Sequence, residues 1–554
     1  VQSIAAHRRE FPVTIEEGKE NHFADIEIRE NINQLEQVVV TGQFSPQSMR
    51  NSLYKVRTVN SEQIRQKAPT SVQSLLNTEI GIRLSNDMAL GETDFELMGM
   101  SGNNVKILLD GIPLIDRGAT KQSLSQLDVN SIERVEIVEG PMSVVYGTDA
   151  LAGVINIITK KGDGYSEENT WRVGARVQEE SMGKEYDFFK DKGLHNESID
   201  LGFNHKSGLF VNGGYTRNNH GGWQGDLTGR EKRWHPKDQA LMNGMFGFQN
   251  RNMNVWYRLD FLDEKIFGPN NGSELQPEKV SDKDFLTKRY THQLQSDWKL
   301  DNRLDVHAAL SYQDYKRRTR TTESDLSTGE KWLSSAEASQ DITQYKAWIA
   351  RATVAWNIAP EFSVQPGVEY QWTQGEGGRI DGTPKVSDLA FFLSAEYKPW
   401  EWLSLRPGVR TFIVADYDAP IAIPSVLTKF KLTKHMDLRL SYAYGFRSPT
   451  LQELYFSFHN DNHDIDGNPD LKAEYSHNIT GSVAYRVLHS EKIHLTTTLS
   501  GFYNDFRDKI SLAQNVDIPN YNTYYNIDRY KTVGGSLENS LSWGGLRANL
   551  NVSL

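Results

Sequence analysis

At 554 residues the chain is too long for one ordinary hydrophobic core, so it holds either several domains or one very large barrel. It contains no cysteine, which excludes disulfide scaffolds, zinc–thiolate sites and thiol catalysis, and its net charge of −11 argues against a nucleic-acid partner. No run of about 18 apolar residues occurs, so no membrane-spanning helix is encoded, whereas a barrel of half-polar strands stays open and the 23 Tyr and 12 Trp suit its two aromatic girdles.

In chain order, residues 1–35 read as an N-terminal extension, the end of a β-domain with one strand-like stretch, Phe23–Ile28. The chain starts at Val1 with no signal peptide, so an exported protein would be numbered here from inside a processed form. Glu36–Gly42 (EQVVVTG) is a β-branched run ahead of the loop-like QFSPQSMRN, and residues 36–48 form a strand and linker suited to pairing with another protein's sheet edge. A small internal edge strand is the alternative. Residues 49–163 read as a compact α/β unit. Its predicted parts are a capped helical turn at Thr70–Asn77, strands at Val105–Asp110, Ile132–Val138 and Val154–Thr159, and a boundary at KKGDG.

From residue 164 to 554 strand-like segments recur with period two. In Met436–Phe446, Met436, Leu438, Leu440, Tyr442, Tyr444 and Phe446 share one face, against Asp437, Arg439, Ser441, Ala443 and Gly445. Met253–Phe261 and Ile493–Gly501 alternate in the same way. These runs reach about ten residues, longer than the mode of about 5–6 in soluble sandwiches. Connections alternate between short and long. Lys206–Gly208, Asn250–Asn252, Lys299–Arg303 and Trp543–Gly545 are short; residues 218–238, 265–289, 317–343, 447–473 and 504–522 are long and polar. Tight turns on one rim and long loops on the other are the mark of a transmembrane barrel, with short turns periplasmic and long loops extracellular. The pattern gives roughly 17 strands, an odd number where such barrels have even ones. Plugged transporters have about 22, so about five C-terminal strands are expected to be absent from this chain.

The motifs narrow the reading. EQVVVTG resembles the short box through which outer-membrane receptors contact the inner-membrane protein TonB. ILLDGIPL (Ile107–Leu114) and IERVEIVEGPMSVVYGTDALAGVINIITKKG (Ile132–Gly162) resemble the plug of TonB-dependent receptors, and YGFRSPTLQELYF (Tyr444–Phe456) with GNPDLKAE (Gly467–Glu474) a paired signature in their barrels. The resemblance spans nearly the whole chain in the right order. It implies a 22-stranded antiparallel barrel in the bacterial outer membrane, occluded by an N-terminal α/β plug. It implies TonB and its energising complex as partners, outer-membrane lipids around the barrel, and in some receptors a surface lipoprotein that delivers ligand. Gly140, Gly147 and Gly153 suit tight turns and close approach to the wall. Two positions depart from the family: Met98 and Glu139 stand where many relatives have Arg, which puts family-type plug–barrel ion pairs in doubt there.

The FRSP…NPDL pair resembles the signature of haem receptors, in which an intervening His is an axial ligand. His459 and His463 lie in that interval, and haem iron accepts His or Met. No His occurs in residues 38–163, so Met88, Met98 or Met100 would supply a second ligand. Tyr455 and Arg447 complete the candidate ligand set. Arg447 follows Phe446 and points to the lumen, where an ion pair with a plug carboxylate outweighs ligand contact. Both histidines also read as ordinary loop residues. Asn462, Asp464 and Asp466 before Gly467 imitate the start of a calcium loop, but Ala473 stands where the bidentate ligand belongs. His307 and His494 fall on lumen faces, and the loop with His220, Trp223, Trp234 and His235 suits either ligand contact or solvation.

These readings give energised import of a scarce nutrient, haem or another iron or porphyrin ligand, with cobalamin and ferric siderophores as alternatives. No permanently bound cofactor is expected. An ungated porin or adhesin is disfavoured by the plug and the box. An enzyme is disfavoured because HExxH, GxSxG and P-loop motifs do not occur.

Overall fold

Alternating residues dominate the second half of the chain, and the backbone follows them. In the computed structural model, which describes residues 38–42, 47–87, 92–116, 122–162, 168–336, 338–460, 463–490, 493–515, 518 and 520–554, the strands from Thr170 onward form one 20-stranded sheet. Three of its members (Lys331–Leu333, Ser457–Asn460 and His463–Asp466) are short pieces of loop hairpins. The other 17 are long antiparallel strands in sequence order, the number the alternation gives. Among the described residues Thr170–Glu180 and Leu546–Ser553 each pair on one side only and are the edges of this sheet. The Phe23–Ile28 stretch, Glu36, Gln37, Met88 and Asn462 lie outside the described residues.

Side chains divide as expected. On Met253–Gly268, Trp256, Arg258, Leu262, Glu264 and Ile266 are buried toward the lumen. Val173, Val177, Ile199, Leu201, Val211 and Phe246 face outward and are exposed, as a lipid-facing band requires. Trp298, Trp356, Trp400, Trp402 and Trp543 are exposed beside the short turns, where amphipathic rings meet headgroups. Phe446 departs from this division. Parity puts it outside, but the strand end turns it against Phe412 and the plug residue Val144, and it is fully buried.

The short turns fall where the sequence places them. Several long loops do not. Much of 265–289, 317–343 and 504–522 is strand, since strands run to Gly268, Asp325 and Gln514 and restart at Lys279, Ile342 and Tyr521. Above the lipid both faces meet water, so the apolar alternation vanishes while backbone pairing continues.

Inside the barrel sits the α/β unit. Its five-stranded sheet runs in the order Lys55–Asn60, Ile132–Glu139, Gly153–Thr159, Val105–Leu109, Ile112–Pro113, with one parallel pairing, Gly153–Thr159 with Val105–Leu109. Asp110–Gly111, both at positive φ, form the two-residue turn that DG favours. The predicted helical turn is Val72–Leu76, capped by Ser71; a second helix, Ser61–Lys67, is capped by Asn60. Leu75, Leu76, Phe95, Leu97, Val105, Ile107, Val135, Ile137 and Ile155 close the core.

Candidate functional site

The valine run after Gln37 is folded into the periplasmic side of the unit. Val38–Val39 pairs with Gln47–Ser48, and Val39 is buried against Leu53, Tyr54, Met142 and Tyr146. From Val40 the chain leaves this pairing and its donors turn to one carboxylate. Glu136 Oε2 accepts the Val40 N–H at 3.1 Å, the Thr41 N–H at 2.8 Å and the Thr41 hydroxyl at 2.6 Å. Glu136 Oε1 binds Arg134 Nε at 2.9 Å. Asn156 Nδ2 donates to the Thr41 hydroxyl oxygen at 2.9 Å. Gly42 donates its N–H to the Tyr146 hydroxyl (3.1 Å), and Arg406 of the barrel donates to its carbonyl (2.6 Å). Gly42 has φ +69°, a backbone conformation that favours glycine, and an added Cβ would also have to displace the Met142 methyl. Val40, Gly42, Arg134 and Tyr146 border a cavity of about 780 Å³ that reaches the periplasmic turn at residues 249–254.

Two ion clusters join plug to wall. Lys55 Nζ lies 2.7 Å from Glu139 and also pairs with Glu538 of the barrel; Arg57 binds Glu139 at 2.8 Å. Burial would raise the Glu139 carboxyl, but Arg57 and Lys55 outweigh it and hold the group below the usual glutamate range. On the other side Arg410 pairs with Glu369 at 2.8 Å, and Arg351 reaches the same carboxylate at 3.6 Å and the Val145 carbonyl at 2.7 Å. Gly147, at φ +74°, lets the plug pass Arg410, whose Nη2 is 2.9 Å from an added Cβ.

At the opposite rim the FRSP…NPDL signature builds a buried staple. Arg447, 1% exposed, donates to Glu453 at 2.8 and 3.0 Å and to Glu474 at 2.6 Å. Glu453 also closes the capping box of helix Leu451–Tyr455 with Thr450, and Glu474 accepts the Ile510 N–H at 2.8 Å. Asn468 donates to the Tyr524 carbonyl, and Leu471 packs with Leu454 and Ile510.

Residues 144–554 match the family model "TonB dependent receptor-like, beta-barrel", and residues 48–154 match "TonB-dependent Receptor Plug Domain". The chain belongs to the TonB-dependent receptor family. It is similar to an iron-regulated outer membrane virulence protein of Vibrio cholerae, 25% identical over 508 residues that cover 86% of this chain and 69% of the relative. A vitamin B12 transporter, BtuB, of Vibrio vulnificus is 32% identical over 139 residues, 25% of this chain and 23% of that protein. Among solved structures, the siderophore receptor PirA from Pseudomonas aeruginosa superposes with a TM-score of 0.69 at 17% identity, covering 90% of this chain and 85% of that one. The copper transporter OprC gives 0.66 at 14% identity, covering 90% and 78%. These structures share the fold. As a TonB-dependent receptor the protein is an outer-membrane transporter, and its family is one of receptors rather than enzymes.

Among the described side chains, the receptor's candidate ligand residues do not converge. His459 stands on the extracellular hairpin Ser457–Asp466 with both ring nitrogens engaged, Nδ1 to Asp464 at 2.6 Å and Nε2 to Asp466 at 3.1 Å. The Asp464 hydrogen bond, aided by Asp466 against slight desolvation, raises its pKa. Asp464 and Asp466 thus serve His459, and no group of three His, Cys, Asp or Glu among the described residues is arranged to hold a metal. His463 lies on the same hairpin, in strand His463–Asp466. Met100 is buried in the plug core with Phe95 and Leu97, while its strand neighbour Ser101 is exposed. Arg447 is an ion-pair residue as expected, but its partners are Glu453 and Glu474 rather than a plug carboxylate. Tyr455 is half-buried in a cluster with Tyr315, Tyr345, Ile380 and Leu451. The Trp223–Trp234 loop closes on itself, ring to ring at 5.3 Å. At the two family departures, Met98 packs on the plug core and Glu139 pairs with plug Lys55 and Arg57, so that Lys55 supplies the cation that meets a barrel glutamate. The sequence reading missed Glu136, Tyr146 and Arg406. A glutamate between Val135 and Ile137 in a buried strand was the available signal.

Proposed function

We propose that this receptor imports an iron chelate whose metal is already fully coordinated, using force that TonB applies to Glu36–Gly42. The observation that carries it is the state of this segment. Among its described residues only Val38 and Val39 pair with another strand, and Val40, Thr41 and Gly42 hang on side chains. The segment can therefore leave without breaking a long ladder, and a partner strand can add to it in the periplasm. Iron as cargo is supported by the iron-regulated relative, matched over most of this chain. Haem leaves axial positions to be filled by the protein, and His459 would have to give up one of its two carboxylates to free a ring nitrogen for iron. A siderophore brings its whole donor set and asks the receptor for none. Cobalamin is the second reading, favoured by the 139-residue likeness to a vitamin B12 transporter.

The test combines ligand titration with uptake. Haemin is titrated by its Soret band against wild type and the His459→Ala/His463→Ala variant, and ferric catecholates, ferric hydroxamates and cobalamin by quenching of receptor tryptophan. Saturable binding of a ferric siderophore without a Soret shift is expected. A saturable Soret shift lost in the double variant would make haem the cargo, and saturation by cobalamin alone would replace iron. Uptake that survives deletion of Val38–Thr41 would overturn energised import.

A further inference from the structure

We propose that Glu136 is a positioning residue that keeps the TonB-binding segment closed by occupying the backbone donors a partner strand needs. This rests on the reading that TonB adds a strand to Glu36–Gly42. A strand added at an edge bonds to the N–H and C=O groups of alternate residues. Here the N–H groups of Val40 and Thr41, and the Thr41 hydroxyl, all end on Glu136 Oε2. The carboxylate and a partner strand cannot both have them.

Glu136 cannot follow the segment out. It sits in the middle of Ile132–Glu139, in register with Thr58 on one side and Asn156 on the other, and its side chain is fully buried. A carboxylate there is costly unless donors surround it. Arg134 supplies one, and the segment supplies the rest. Hydrogen bonds to an ionised acceptor are roughly twice as strong as neutral ones, so this is the firmest hold on the segment. The charge that makes Glu136 expensive in the sheet makes it an effective substitute for the missing strand. A glutamine of the same shape loses that charge and can turn an NH2 donor against the same N–H groups.

The experiment uses the full chain in nanodiscs. Because the protein has no cysteine, Val39→Cys, at a position fully buried in the closed state, gives a single thiol. Its labelling rate with a hydrophilic maleimide reports release, and titration with the periplasmic domain of TonB reports strand addition. Without any ligand, Glu136→Gln is expected to raise both labelling rate and TonB affinity by about tenfold or more. Glu133→Gln, on the same strand but exposed, serves as control and leaves both unchanged. Thr41→Val, which removes the hydroxyl's bonds to Glu136 and Asn156 but keeps both backbone N–H bonds to Glu136, gives a smaller increase in labelling and keeps the test decisive if Glu136→Gln does not fold. Native labelling rates in the folded variants would overturn the proposal. Fast labelling with no TonB binding leaves the hold by Glu136 intact and overturns the import reading instead.

Discussion

Replacing Arg447 with Met should detach the outer loop while leaving the barrel standing. The guanidinium is 1% exposed and spans two carboxylates, at 2.8 and 3.0 Å to Glu453 and 2.6 Å to Glu474. Methionine fills much of the volume but leaves two buried charges, each with backbone donors as company: Thr450 N–H on Glu453 and Ile510 N–H on Glu474. Removing one partner of a buried ion pair costs about 3–5 kcal/mol. At about 1.4 kcal/mol per decade this is a change of roughly a hundredfold to several thousandfold in the local opening equilibrium. The barrel strands are held by their own ladders, so the cost falls on Thr450–Glu474 and the Ile510 contact. Hydrogen exchange read by mass spectrometry should show faster exchange there, with Met253–Gly268 unchanged. The triple variant Arg447→Met/Glu453→Gln/Glu474→Gln removes all three charges and should recover most of the protection. Exchange in the single variant within about threefold of wild type would refute the staple, because that is under 1 kcal/mol.

Three further outcomes are expected. Glu139 is held below the usual glutamate range by Arg57 and Lys55 against its burial, so its stabilisation is present above the ordinary glutamate pKa and is lost as pH falls through the folded value; the urea midpoint of plug unfolding should drop on acidification, and Glu139→Gln should flatten that drop. His459 is raised by Asp464 and Asp466, so its clip on the hairpin is complete below the ordinary histidine pKa and is lost as pH rises through the folded value; in NMR of histidine-labelled receptor, Asp464→Asn/Asp466→Asn should return the ring to an ordinary titration, and an unmoved midpoint would refute the clip. Gly147→Ala puts a Cβ 2.9 Å from Arg410 Nη2 at φ +74°, and should weaken plug docking by about 1–3 kcal/mol, seen as a lower urea midpoint.

The barrel was legible because lipid on one side and plug on the other impose period two on every strand between them. Above the lipid that constraint ends, which is why Lys279–Arg289 and Arg317–Asp325 read as loop while they continue as strand. In the plug, continuous runs such as Val154–Thr159 announce burial on both faces, yet helix Ser61–Lys67 did not stand out because its seven residues bury only Ile64. The box was legible as a strand without a home. Its home was not, because Glu136, Tyr146 and Arg406 lie 95, 104 and 364 residues from the positions they hold. Arg447 was legible as a lumen-facing cation, but its partners depend on how the loop folds back, which no local pattern encodes.

The order of the plug sheet has a mechanical consequence. Lys55–Asn60, the first long strand after the box, is an outer member of the sheet and, among the described residues, pairs only with Ile132–Glu139. Under the proposed pull on the box this one strand would be stripped while the remaining three pairings stay intact. The slack released between Val38 and Asn60 is roughly 75–80 Å at full extension, taking about 3.3–3.6 Å per residue. Under that proposal the plug would have a sacrificial first layer: a machine on the far side of the periplasm would reel in this length, open a gap along the wall where Lys55 meets Glu538, and let go, with a folded remainder as the template on which the strand re-anneals.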